Sequence, residues 1–265
     1  MGRIAETFER LRGENKSAFI AYIMAGDPDR ATSQAILDGL PAAGADIIEL
    51  GLPFTDPVAD GAAVQMAGLR ALESGQTVRA TLDMVAEFRT RDTTTPVLLM
   101  GYFNPVFSYG VERFLADAST AGVDGLIIVD IPAEEDDDLC NPARAAGIDF
   151  IRLVPPTTDA ARLARVVRDA GGFIYYVSVT GTTGAAAAAP EHVAPRIEEI
   201  RKASGLPVVV GFGIRTPAAA ADMAAVADGV AVGSAIVGKI AERGPIEETF
   251  KFVAELSAGA HSARA

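Results

Sequence analysis

A parallel α/β barrel is the fold class the sequence predicts, on three observations. Short runs rich in Val, Ile and Leu alternate with amphipathic stretches about eight times, the order in which each buried strand is followed by a covering helix. These runs are apolar on both faces, as parallel strands covered on both sides must be. The length of 265 residues suits one such barrel, and a hydrophobic content of 49% can fill it. Together they predict a single (β/α)8 TIM barrel over residues 1–265 with an extra N-terminal helix. No domain boundary and no repeat beyond the βα rhythm is visible.

The opening segment Arg3 to Arg12 places Ile4, Phe8 and Leu11 at helical spacing, so it covers one end of a core. Ala18 to Met24 reads as the first strand, ended by the turn Gly26-Asp27-Pro28, and Thr32 to Ala43 as a helix closed by Gly44. Asp46 to Leu50 is the second strand, and Val64 to Glu73 and Val78 to Arg91 are helices parted by Ser74-Gly75. Pro96 to Gly101 is the third strand, followed by a loop Tyr102-Phe103-Asn104-Pro105 and a helix from Val111 to Ala121. Gly125 to Asp130 is the fourth strand; Glu134 to Asp138 then opens a helix, with its charges suited to the N-terminal dipole. Ile148 to Val154 is the fifth strand, Asp159 to Ala170 a helix, and Phe173 to Val179 the sixth strand. After the helix Glu191 to Ala203 come the seventh strand, Pro207 to Gly211, and the helix Pro217 to Ala227. Gly229 to Gly233 is the eighth strand, and Ile236 to Leu256 is the last helical segment.

Composition excludes several classes of function. The formal charge, 23 − 35 = −12, argues against a nucleic-acid or anionic-membrane surface. One cysteine, Cys140, forbids an internal disulfide and suits a reducing compartment. The two histidines, His192 and His261, form no metal-binding pair and are expected in solvated positions. The charged N-terminus lacks the apolar core of a signal peptide, and no apolar run reaches the ~18–20 residues of a membrane span. A soluble, cytoplasmic protein is expected.

Candidate chemistry gathers where such barrels place it, at the C-terminal ends of the strands. Glu49 is a carboxylate at the tip of a buried strand between Ile48 and Leu50, and an unpaired buried carboxylate is costly unless it has a task. The proline-stiffened loop after it adds Asp56 and Asp60, which also suit turn formation and helix capping. Tyr102, Asn104, Asp130, Tyr175 and Thr183 share this rim. Gly211-Phe212-Gly213 and Gly233-Ser234 follow the seventh and eighth strands, where close-approaching N–H groups and a helix N-terminus cradle phosphate in barrels of this kind. Thr180 to Pro190, TGTTGAAAAAP, is hinged by Gly181 and Gly184 and reads as a lid.

Several of these strings, GLPFTDPVADG, MGYFNP, YYVSVTGTTG, GFGI and VGSAIV, together with the GDPD turn at Gly26, resemble the tryptophan synthase alpha family along nearly the whole chain. The resemblance implies a lyase that cleaves indole-3-glycerol phosphate to indole and glyceraldehyde 3-phosphate by a retro-aldol reaction, the last stage of tryptophan biosynthesis. It implies Glu49 as general acid/base at indole C3 and at the glycerol hydroxyl, and Asp60 as the group that holds and deprotonates the indole N–H. It assigns substrate contacts to Tyr175 and Thr183, a phosphate cradle to Gly184, Gly213, Gly233 and Ser234, and indole-pocket walls to Phe212, Leu99, Tyr102 and Leu126. It further implies a pyridoxal phosphate beta subunit in an αββα complex, docked on the loops at Pro53 to Val58, Tyr102 to Phe107 and around Pro132, with no cofactor or metal in this chain. Two features depart from the family pattern: alanines fill 185–189 where polar or charged residues are usual, and Ala62 stands where proline is common. Another phosphosugar barrel enzyme, or a subunit that binds phosphorylated ligands without turnover, remains open at this level.

Overall fold

The computed structural model describes residues 2–177, 189–211 and 213–264. Among these, nine strand segments form one all-parallel sheet: β1 (Ala18–Met24), β2 (Ile47–Gly51), β3 (Val97–Gly101), β4 (Gly125–Ile128), β5 (Asp149–Phe150), β6 (Arg152–Val154), β7 (Ile174–Val177), β8 (Val208–Gly211) and β9 (Gly229–Val232). The sheet order is β5-β4-β3-β2-β1-β9-β8-β7-β6. β5 and β6 are two halves of one strand parted only by Ile151, so the two ends of that order meet in the chain and the sheet wraps into a barrel of eight staves. The expected strand from Ile148 to Val154 is therefore present, but its first half pairs with β4 and its second with β7.

The strands are buried on both faces, and the two faces belong to different cores. Ala18, Ile20, Ile47, Leu98, Ile127, Ile151, Phe173 and Val209 fill the barrel interior, whereas Phe19, Ala21, Ile48, Leu50, Leu99 and Leu126 meet the outer helices. Helix α1 (Arg3–Gly13) plugs one end of the interior with Ile4, Phe8 and Leu11, as its spacing predicts. Phe8 meets Phe173 edge-on, with ring centroids 5.8 Å apart.

The outer layer follows the strands in order: α2 (Arg30–Gly39), α3 (Ala62–Glu73), α4 (Val78–Arg89), α5 (Phe103–Tyr109), α6 (Val111–Ala121), α7 (Cys140–Ala145), α8 (Ala160–Val166), α9 (Pro190–Ser204), α10 (Pro217–Ala224), α11 (Ser234–Ala241) and α12 (Ile246–Ser262). Asp29, Thr77, Asp159 and Thr216 cap α2, α4, α8 and α10, each accepting from a backbone N–H three residues on. Aspartates in three of the loops entering the barrel also tie strand starts together. Asp46 accepts from the N–H of Phe19 at 2.9 Å, Asp124 from Val97 at 2.8 Å and Asp228 from Val208 at 2.9 Å. No described helix is long and apolar enough to cross a membrane.

Four expectations need correction. The segment after Tyr102 is helix α5 rather than loop; Pro105 is tolerated because it sits in the first turn, where its missing N–H has no intrahelical partner. Glu134 to Asp138 does not open a long helix: Glu134 and Glu135 lie on a 3-10 turn at Ala133–Glu135, and α7 begins only at Cys140. Glu134 instead pairs with Arg162 and Arg165, and Asp136 with Arg152, so cross-element ion pairs hold that cluster. The last helical segment breaks at Arg243-Gly244-Pro245 into α11 and α12, with Arg243 at φ +53°. His261 is not simply solvated, for its Nε2 lies 2.6 Å from the Asp46 carboxylate.

Candidate active site

Glu49 faces the barrel interior because its strand alternates. Ile47 is in the interior core and Ile48 and Leu50 are in the outer one, so the side chain between them turns inward. There it is 1% exposed, and among the described residues Oε1 has no hydrogen-bond partner. Burial, which disfavours the anion, pushes its carboxyl up to about 8.

Asp60 reaches the same cavity from the loop after β2. It does not cap α3, whose N-cap is Gly61 without a side-chain bond, so capping does not explain it. Burial raises its carboxyl to about 6, and a hydrogen bond from the Tyr102 hydroxyl opposes that rise. The same hydroxyl accepts from the N–H of Ala59 at 2.9 Å, and the Tyr102 ring packs on Phe54 with centroids 5.4 Å apart. Tyr102 is thus 3% exposed and braces the Asp60 loop; it is not one of the cavity-lining residues that its reading as a pocket wall requires. Asp130 accepts from the N–H of Phe103 at 2.8 Å and so anchors α5, while Asn104 is exposed on that helix.

The cavity, about 550 Å³ with its mouth included, runs from these carboxylates to the turns after β8 and β9. Gly213, with φ +79°, and Gly233-Ser234 line its far end, and Ser234 is the first residue of α11. Backbone N–H groups and the positive end of a helix therefore face that end, the arrangement that holds an anion. Arg215, between these turns, is the basic residue among the described residues that line the cavity. Tyr175, 6% exposed, lines the wall with its hydroxyl so close to Gly211 that a Cβ there would collide with it. Burial and the neighbouring Glu49 keep this phenol protonated.

Glu49, Asp60, Tyr175, Gly213, Gly233 and Ser234 are thus brought together. Thr183, Gly184 and Phe212 lie outside the described residues, as does the alanine run up to Ala188. Leu99 and Leu126 are not brought to the cavity: they pair with each other across β3 and β4 with both side chains in the outer core. Glu49 is in register with Leu98, so the inward positions of β3 are Leu98 and Met100, and Met100 is the one that lines the cavity. Sequence reasoning also missed Tyr22, on β1 in register with Glu49, and Arg215. In all-apolar strands nothing local marks the inward parity; the only available signal was the register with Glu49, which pairing supplies.

Comparison with known proteins agrees with this geometry. The family model described as tryptophan synthase alpha chain matches residues 8–263. Tryptophan synthase subunit alpha from Legionella pneumophila str. Paris is similar at 37% identity and a TM-score of 0.91, over 98% of this chain and 98% of that one. The aminoacrylate-bound form of tryptophan synthase from M. tuberculosis is similar at 34% identity and a TM-score of 0.89, over 98% of this chain and 100% of that one. A solved structure from Aquifex aeolicus VF5 is similar at 36% identity and a TM-score of 0.91, over 98% and 100%. Of the readings that the sequence left open, the family match selects the lyase. This chain belongs to the tryptophan synthase alpha chain family.

Proposed function

We propose that Glu49 and Asp60 carry the alpha reaction of this lyase, the retro-aldol cleavage of indole-3-glycerol phosphate to indole and glyceraldehyde 3-phosphate. The observation that carries the assignment is one cavity with two unlike carboxyls at one end and an N–H cradle at the other. At neutral pH a carboxyl raised to about 8 is protonated and one raised to about 6 is ionised, so the pair is divided into an acid and a base.

With the phosphate in the turns at Gly213 and Gly233-Ser234, the indole end lies among the carboxylates. Glu49 delivers its proton to indole C3, and the positive charge that develops on the ring nitrogen is met by ionised Asp60. The glycerol hydroxyl on the carbon attached to C3 then gives its proton to the Glu49 carboxylate. As its C=O forms, the C–C bond breaks and its electrons restore the indole ring. Glu49 ends protonated, and no water is consumed. Burial supports this step, since fixed groups in a dry site act more strongly on developing charge than they would in water.

The step uses side chains of this chain alone; pyridoxal phosphate belongs to the beta subunit with which such chains assemble. Apolar side chains on the rim support that partnership: Phe107 on α5 is 66% exposed and Val58, in the Asp60 loop, 81%. Met66 and Leu69 on α3 are exposed as well. A cytoplasmic location suits this assembly.

Indole release from the purified chain, with and without a beta subunit, tests the assignment. Glu49→Gln should lower kcat by about a thousandfold or more, the scale of a lost acid/base group together with its charge. Asp60→Asn should lower it by about a hundredfold. Full activity in either variant would remove that residue from the mechanism.

A further inference from the structure

Tyr22 lines the cavity and has no task in that mechanism. Its ring runs along the wall between the two ends of the site. A Cβ on Gly233, in the anion cradle, would lie 3.3 Å from its Cδ1, and a Cβ on Gly51, two residues beyond Glu49, would collide with its hydroxyl. The ring therefore spans the stretch that joins the phosphate to the indole, and its hydroxyl sits at the carboxylate end. Gly51 and Gly233 leave it the room to do so.

Tyr22 is 6% exposed. Asp60, Glu49, Tyr102 and Asp27 are the titratable groups that act on it; Asp27 is already paired with Arg70, and Tyr102 with Asp60 and Ala59. Burial and these neighbours strongly disfavour the phenolate, so the hydroxyl keeps its proton and stays a donor. It lines the cavity beside Glu49 and Asp60, placed to donate to a ligand held there. The ligand that fits this cavity carries two hydroxyls on the three-carbon chain between its ring and its phosphate.

We propose that Tyr22 is a substrate-contacting and specificity-determining residue whose hydroxyl hydrogen-bonds the glycerol chain, so that the site selects a hydroxylated linker. The inference rests on this cavity being the place of cleavage. A phenylalanine here would keep the wall and lose the selection, because a site built to hydrogen-bond a hydroxyl rejects the analogue that lacks it.

The test compares wild type with Tyr22→Phe against two ligands: indole-3-glycerol phosphate and 3-(indol-3-yl)propyl phosphate, which has the same ring and phosphate but no linker hydroxyls. For the substrate, kcat/KM should fall about tenfold in the variant, the scale of one buried hydrogen bond. The inhibition constant of the propyl phosphate should stay within about twofold, which also shows that the variant is folded and its cradle intact. Unchanged values for both ligands would overturn the proposal, since the hydroxyl would then be idle. An equal loss for both would overturn it too, because the ring alone would be responsible. If Tyr22→Phe fails to fold, Tyr22→Leu takes its place in the same comparison, where a loss for the substrate alone supports the proposal and an equal loss for both ligands overturns it; equal affinity of wild type for the hydroxylated and propyl phosphates sinks the idea as well. Wild type that binds both ligands but releases no indole would refute the cleavage reading and leave the Tyr22 comparison readable from the binding constants.

Discussion

Glu49 and Asp60 differ by location rather than by kind. One is enclosed, with an oxygen that has no partner among the described residues; the other is partly open and held by Tyr102. If Glu49 must be protonated and Asp60 ionised, kcat/KM for indole release should be bell-shaped, losing activity below about 6 and above about 8. A profile flat across either value would show that the corresponding carboxyl does not take part. Burial of Glu49 also has a stability consequence. Its folded carboxyl lies above the ordinary 4.5, so the folded state holds a proton that the unfolded chain has lost, and stability falls as pH rises from 4.5 towards about 8. Glu49→Gln removes that dependence. Its melting temperature should exceed that of wild type at pH 9 by a few degrees, on the order expected for a kcal/mol or more, and the gap should close towards pH 5. Equal melting curves at both pH values would contradict the uncompensated burial.

Elements matter here by what they brace. Tyr102 begins α5 and yet serves the loop after β2, where it holds Asp60 and the N–H of Ala59. Tyr102→Phe should raise the Asp60 carboxyl and move the acidic limb of the activity profile upward by about one pH unit, the value of one hydrogen bond to a charged group. An unmoved limb would mean that the bond has no weight in the working enzyme. Helix α1 plays a comparable part for the core. Phe8 seals the interior against Phe173, and Phe8→Ala should cost about 3–5 kcal/mol in denaturant unfolding, the range for a buried aromatic removed without collapse of the cavity. A cost under 1 kcal/mol would mean that α1 is only loosely docked.

At the scale of the whole molecule, the barrel puts the chemistry and the exposed apolar rim at the same end. The loop carrying Asp60 also carries Val58, and α5, begun by Tyr102, carries Phe107. A partner seated on Val58 and Phe107 would press on the two segments that hold Asp60. Phe107→Asp should therefore abolish most of the stimulation of indole release by a beta subunit while leaving the activity of the isolated chain within about twofold, because the side chain is at the solvent side of α5 and away from the cavity. Full stimulation of this variant would place the docking surface elsewhere.

Strand order, most of the helices, the N-terminal plug and the buried carboxylate at 49 were determined by the sequence itself, because each depends on a local period: two for strands, 3.6 for helices, glycine or proline at the ends. Glu49 was legible for a further reason. It is a charged residue between apolar neighbours on a short strand, and its cost demands a purpose. The tertiary structure alone decided which neighbour on an all-apolar strand faces the cavity, Met100 and not Leu99, and Tyr22 as its partner across the wall. It alone showed that Tyr102 braces a carboxylate, that the fifth strand changes partners at Ile151, and that His261 meets Asp46 from 215 positions away. These are relations between segments. Parity within a strand repeats every two residues, but which parity points inward is set by hydrogen-bond register with strands far along the chain. No local pattern carries that information when both faces are buried.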